Sequence, residues 1–165
     1  MALDPQAQAL LDNEVADIAA RALTNRTGCV VVAVNYQKAP EHKFPVPFDD
    51  AYAATTWVAE HAGELGIDPG RIGVAGDSAG GNLAAAVCLK ARDEHGPSLA
   101  YQLLIYPVTD YGWDKPSYLE NAEGYLLQRE TMRWFWGHYL ASEAEGDNPL
   151  VSPLRAQIPR ACPPR

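Results

Sequence analysis

Arg71-Ile72-Gly73-Val74-Ala75-Gly76-Asp77-Ser78-Ala79-Gly80-Gly81-Asn82-Leu83-Ala84 is a short apolar run that breaks into a glycine-flanked serine and then into helix-forming residues. The order is strand, tight turn, helix. Gly76-x-Ser78-x-Gly80 has the spacing of a nucleophile elbow, in which the serine sits on a strained strand-to-helix turn that lifts its hydroxyl clear of the sheet. Gly76 has to let the strand and helix backbones come close, and Gly80 and Gly81 add no bulk where the helix turns back across the sheet. With glycine and serine each near 7% of residues, a bare Gly-x-Ser-x-Gly arises by chance in roughly one chain in twenty of this length. The strand before it and the helix after it supply the specificity that the pattern lacks.

The same alternation extends outward in both directions. Upstream, Cys29-Val30-Val31-Val32-Ala33-Val34-Asn35-Tyr36 is continuous and β-branched, as in a parallel strand covered on both faces. Before it, Leu11, Val15, Ile18 and Ala22 form one stripe of a helix running from Asp4 to about Asn25. Between this strand and the elbow, Pro40, Pro45 and Pro47 mark an ordered loop, and Asp49 or Asp50 is placed to cap a helix carrying Ala54, Trp57, Val58, His61 and Leu65. After Ser78 a helix reaches about Glu94, with Leu83, Val87 and Ala91 on one face, and Leu99 to Pro107 is a further apolar strand. Strand and helix in alternation with short connections predict an α/β fold, with a parallel sheet of about three recognisable strands flanked by helices. Beyond Asp110, Tyr111 to Gln128 reads as irregular and Arg129 to Leu140 as an aromatic helix, while Asn148-Pro149, Ser152-Pro153 and the prolines from Pro159 to Pro164 read as a tail without a core element.

A chain of 165 residues with 47% hydrophobic and 21% charged residues suits one globular domain over 1–165, with residues 156–165 as an irregular tail. No run approaches the roughly 18 apolar residues of a membrane span, and Met1-Ala2-Leu3-Asp4-Pro5 lacks the basic start and apolar core of a signal peptide, so a cytoplasmic protein is expected. A formal net charge of −8 repels phosphate backbones and anionic membrane surfaces, which argues against a nucleic-acid partner. Cys29, Cys88 and Cys162 form no metal-ligand spacing and make a poor disulfide framework; Cys29 and Cys88, inside apolar runs, read as buried small hydrophobes. Neither a metal nor a cofactor is expected.

Four ordered segments, Val32-Ala33-Val34-Asn35-Tyr36, Ala39-Pro40-Glu41-His42-Lys43-Phe44-Pro45, Gly76 to Asn82 and Leu104-Ile105-Tyr106-Pro107, resemble consecutive segments of the hormone-sensitive-lipase-like esterases of the α/β-hydrolase fold. Similarity continues through Glu123-Gly124-Tyr125, Trp134 to Tyr139 and Asn148 to Leu154, and so covers roughly residues 14 to 155. The resemblance implies that Ser78 is the nucleophile and the backbone N–H of Ala79 one oxyanion-hole donor, with Gly76, Asp77, Gly80, Gly81 and Glu41 in supporting places. The implied activity is hydrolysis of short-chain carboxylic esters, a reaction that needs an activated hydroxyl, a base and N–H donors aimed at the oxyanion.

Two parts of the family pattern have no counterpart in these residues. The His-Gly-Gly-Gly segment that completes the oxyanion hole would precede the helix entered near Asn13, and the Asp-Pro-Leu strand end and late histidine of the Ser, Asp, His order would follow Ser152-Pro153-Leu154. A truncated member of the family, of low or no turnover, is therefore expected. Asp110 or Asp114 with His138 preserves the triad order inside the chain, although His138 sits among helix-spaced aromatics, where a packing role is the simpler reading. His42, His61 and His95 are simpler still as loop, core-edge and helix-end residues. Without the strand that bears the missing segment, the Cys29–Tyr36 and elbow strands must pair directly or leave open edges, which predicts self-association. The reading from a different class is a non-catalytic remnant that binds an apolar ligand or a partner chain.

Overall fold

The computed structural model describes residues 18–157, so Leu11, Val15, Cys162 and the prolines beyond residue 157 lie outside the described residues. The chain separates into two compact units, the first ending at Asn35 and the second starting at Tyr36.

In the first unit a helix is described over 18–27 (α1). Its end has ordinary C-terminal chemistry: the Gly28 N–H donates to the Thr24 carbonyl (2.9 Å), and Gly28 takes φ +71°, a value that favours glycine. Residues 28–35 form no strand. Val30, Val32 and Val34 are 58, 45 and 40% exposed, and Cys29 is exposed rather than buried. This corrects two expectations, the third strand and the apolar burial of Cys29. The physical reason is shared: β-branched residues suit a pleated surface, but a strand exists only as half of a ladder, and the sheet of the described residues consists of two other strands.

The second unit holds those strands. Helix α2 spans Val46–Glu60, strand β1 Gly73–Asp77, helix α3 Ser78–Asp93 and strand β2 Tyr101–Ile105. They are followed by the short helix α4, Pro116–Glu120, and by helix α5, Arg129–Tyr139. Strands β1 and β2 run parallel in the register Gly73↔Tyr101 to Asp77↔Ile105, joined through α3, the crossover a parallel pair needs. The parallel α/β expectation thus holds with two strands rather than three. Helix α2 begins at Val46, with proline at its start and no side-chain cap. Asp50, expected as a capping residue, instead accepts the backbone N–H of Gln37 (2.8 Å) and so ties the loop to the helix.

Two apolar clusters fill this unit. Phe48, Leu83, Ala86 and Val87 are buried together, with Tyr36, Phe44, Tyr52, Val74, Leu99 and Leu150 packed around them. Trp136, Leu140 and Val151 form the second, flanked by Phe44, Val108, Tyr111 and Tyr139. Phe44 belongs to both, and its loop is held to the end of α5: its N–H donates to the Tyr139 carbonyl (2.8 Å), and Lys43 Nζ donates to the carbonyls of Gly137 (3.0 Å) and Leu140 (2.8 Å). A cation on the last carbonyls of a helix also complements its dipole.

Val151 and Ser152 are wholly buried. The segment expected to be a tail without a core element is therefore part of the core as far as residue 152. The Ser152 hydroxyl is spent inward: it donates to the Gly146 carbonyl (2.7 Å) and accepts the Tyr111 N–H (2.8 Å). Buried backbone of irregular shape survives only with such partners.

Candidate active site

The C-terminal end of β1 and the first turn of α3 make the elbow. Ser78 is the first residue of α3 and takes φ +49°, a left-handed conformation costing a non-glycine residue about 1–2 kcal/mol. The turn is tight enough that a Cβ at Gly76 would fall on the carbonyl carbon and oxygen of Gly80, while one at Gly81 would lie 2.9 Å from the Pro107 Cβ. Gly80 itself is less constrained: the nearest atom to a Cβ there is Asp77 Oδ1 at 4.0 Å. Gly76 and Gly81 therefore carry the steric demand, one inside the elbow and one against the segment leaving β2.

That segment follows its own strained path. Tyr106, directly after β2, takes φ +36° and is 74% exposed. Two residues on, the Val108 N–H donates to the Ser78 carbonyl (3.2 Å). Asn82, one turn into α3 and 3% exposed, donates from Nδ2 to the carbonyls of Val108 (2.7 Å) and Val151 (2.7 Å). A carboxamide buried among alanines is satisfied by two loops at once. Sequence reading passed over Asn82; its signal is a polar residue on the face that also bears Leu83, Ala86 and Val87.

The Ala79 N–H lies in the first turn of α3, where helix geometry provides no intrahelical acceptor, and it has no partner among the described residues. The Ser78 hydroxyl likewise has no hydrogen-bond partner among the described residues. Asp77 is exposed, and together with burial, the larger cause, it pushes the Tyr36 phenol upward. Glu41 lies in an exposed turn without a hydrogen bond to the elbow.

The structure does not join Asp110, Asp114 and His138 into a relay with Ser78. The Asp110 carboxylate pairs with Lys115 and with Arg155 Nε (2.6 Å), and Arg155 also reaches Asp147. Burial pushes the Asp110 carboxyl up, but hydrogen bonds and charges from Lys115 and Arg155 outweigh it and hold it below its ordinary value. Asp114 is exposed. His138 packs edge-on against Trp134 at 4.2 Å between ring centroids. Of the other histidines, His61 stacks on Trp57 at 4.4 Å and its Nδ1 hydrogen bonds to the Trp57 carbonyl (2.9 Å), whereas His42 and His95 are exposed.

Two cavities open elsewhere on the unit. One, of about 240 Å³, is lined by Tyr111, Trp113, Trp136 and Leu140 among others; the second, about 870 Å³, lies along the end of α3 near Leu150 and Arg155. Ser78 lines neither. No group of three metal-ligating side chains is found among the described residues, and no described helix is long and apolar enough to cross a membrane.

A left-handed serine between a parallel strand and the helix that follows it has the geometry of a strand–turn–helix elbow on an α/β scaffold. The comparisons with known proteins agree: residues 9–165 match the family described as alpha/beta hydrolase fold, and the chain belongs to it, among its hormone-sensitive-lipase-like esterases. It is 48% identical over 135 residues to Carboxylesterase NlhH of Mycobacterium tuberculosis, covering 82% of this chain and 42% of that protein. It is 40% identical over 139 residues to Ethyl acetate hydrolase of Pseudomonas putida, with 82% and 43% coverage. The hyperthermophilic esterase from the archaeon Pyrobaculum calidifontis superposes with a TM-score of 0.82 at 43% identity, over 86% of this chain and 46% of that one. The chain thus spans less than half the length of these relatives.

Proposed function

We propose that Ser78 is the nucleophile of a carboxylic ester hydrolase acting on short-chain acyl esters, with the Ala79 N–H as one oxyanion donor. The observation that carries this reading is the left-handed Ser78 at the junction of β1 and α3. A backbone so strained persists only where the fold around it over-determines it, and such strain gathers at reacting residues. The names of the relatives, a carboxylesterase and an ethyl acetate hydrolase, point to the same chemistry. In this reading Gly76 and Gly81 shape the elbow, Asp77, Gly80 and Glu41 border it, and Asp110, Asp114 and His138 serve the fold.

Turnover by the 165-residue chain alone is low, because no described side chain is hydrogen-bonded to the Ser78 hydroxyl to take its proton. Serine hydrolases stripped of triad members keep only the catalysis that binding and the oxyanion hole provide. Hydrolysis of p-nitrophenyl butyrate should be slow but above that of Ser78→Ala. Equal rates for the two proteins would sink the esterase reading for this polypeptide and favour the non-catalytic one, a remnant that binds an apolar ligand or partner chain.

We further propose that the chain self-associates. Both strands of the described sheet are edge strands, and Tyr101, Ile105 and Tyr106 are 68, 41 and 74% exposed. Unpaired edges flanked by large apolar side chains are templates for further pairing. Sedimentation velocity at micromolar concentration should give species heavier than the 17.9 kDa monomer; a single monomer boundary would refute it.

A further inference from the structure

We infer that Asn82 is a positioning residue for the oxyanion donor, acting through Val108; this rests on the reading of Ser78 and Ala79 just given. The Ser78 carbonyl and the Ala79 N–H belong to one planar peptide unit, so whatever holds the carbonyl sets the direction of the N–H. The Val108 N–H holds that carbonyl at 3.2 Å. Val108 is in turn held by its own carbonyl, which accepts from Asn82 Nδ2 at 2.7 Å. The second proton of the same amide goes to the Val151 carbonyl, also at 2.7 Å, which anchors the carboxamide to wholly buried backbone. One side chain therefore links the core at Val151, the segment leaving β2 and the peptide plane of the elbow.

The Ser78 carbonyl oxygen also accepts the backbone N–H of Asn82 as an i→i−4 bond of α3, so Val108 is its second donor, and no other described side chain hydrogen-bonds Val108 to the core. Gly81 meets Pro107 only sterically, and the Asp77 side chain makes no capping hydrogen bond to α3. Removing the carboxamide loosens Val108 and leaves the buried Val151 carbonyl and the part-buried Val108 carbonyl without this donor. The Ser78 carbonyl then keeps its helical donor but loses a fixed second one, so the Ser78–Ala79 plane is less tightly aimed and the oxyanion donor loses part of its preorganisation.

The test uses the full chain and a fluorophosphonate probe at alkaline pH with imidazole as external base. The Ser78 Oγ–P bond forms, fluoride leaves and the hydroxyl proton passes to imidazole, while the phosphoryl oxygen gains charge where the oxyanion donor points. Labelling is followed by intact mass at a temperature where every variant is folded by circular dichroism. Asn82→Ala should label about ten- to a hundred-fold more slowly than the native chain, somewhat less than the loss on deleting an oxyanion donor outright. Ser152→Ala removes an equally buried polar staple, the one between Tyr111 and Gly146. It should lower the melting temperature without changing the labelling rate.

Native-like labelling of Asn82→Ala, or equal slowing in both variants, would overturn the inference while leaving the nucleophile assignment intact. Failure of the native chain to label faster than Ser78→Ala would remove the assignment and the inference together. Should Asn82→Ala not fold, hydrogen exchange in the native chain decides. The Val108 amide should exchange as slowly as the amides of α3, and exchange at the rate of an exposed amide would overturn the linkage.

Discussion

Gly76→Ala should lose about 3 kcal/mol or more of stability, a large share of the 5–15 kcal/mol typical of a folded domain. The new Cβ would overlap the carbonyl carbon and oxygen of Gly80, and these are main-chain atoms of α3 that cannot swing aside as a side-chain tip can. Relief requires prising α3 away from β1, which uncovers Leu83, Ala86 and Val87 of the first apolar cluster. Gly137, inside α5, is the internal control. A Cβ there meets nothing within 4 Å, so Gly137→Ala should raise stability by about 0.5–1 kcal/mol through helix propensity alone. Urea unfolding of the two variants checks both; similar midpoints would show that the elbow is not the tight element described here.

Ser78→Gly should lower ester cleavage to the buffer rate and yet leave the protein about 1 kcal/mol more stable than Ser78→Ala. Both substitutions remove the hydroxyl, so both abolish any chemistry that needs it. They differ only in how they tolerate the left-handed φ of +49°: alanine retains the clash between its Cβ and the following backbone, while glycine has none. Thermal unfolding of the pair isolates this strain from the lost hydroxyl. Equal stability would mean that the turn relaxes in the variants, and retained cleavage by either would place the nucleophile elsewhere.

Much of the architecture around the site was legible because it follows from local periodicity. The helices near Val46–Glu60, Ser78–Asp93 and Arg129–Tyr139 and the parallel pairing of the strands before and after α3 all carry their signal within a dozen residues. The glycine at position 76 was legible for the same reason: its steric demand arises four residues away. Gly80 was less so, since a repeated glycine in a motif does not say which member is crowded.

What escaped the sequence reading depends on distant partners. Asn148 to Ser152 has turn residues and no period, and its burial follows from the donors that Asn82 and Tyr111 bring from elsewhere in the chain. Cys29 and the valines that follow have the composition of a buried strand, yet burial needs a neighbouring edge, which no count of β-branched residues can supply. The lysine and arginine that pair with Asp110 likewise could not be read from spacing, so this acid kept open, in the sequence, a catalytic place that ion pairing fills.

The residues from Arg71 to Ala84 alone determine a strand, a tight turn and a helix with a serine at the bend, because glycine sterics and hydrophobic periodicity act between near neighbours. The helix gives the peptide after that serine one local donor, and only the tertiary structure supplies the second. That second donor is held by hydrogen bonds from Val108 to Ser78 and from Asn82 to Val108 and Val151, whose partners are distant in the chain and meet only once the core has closed.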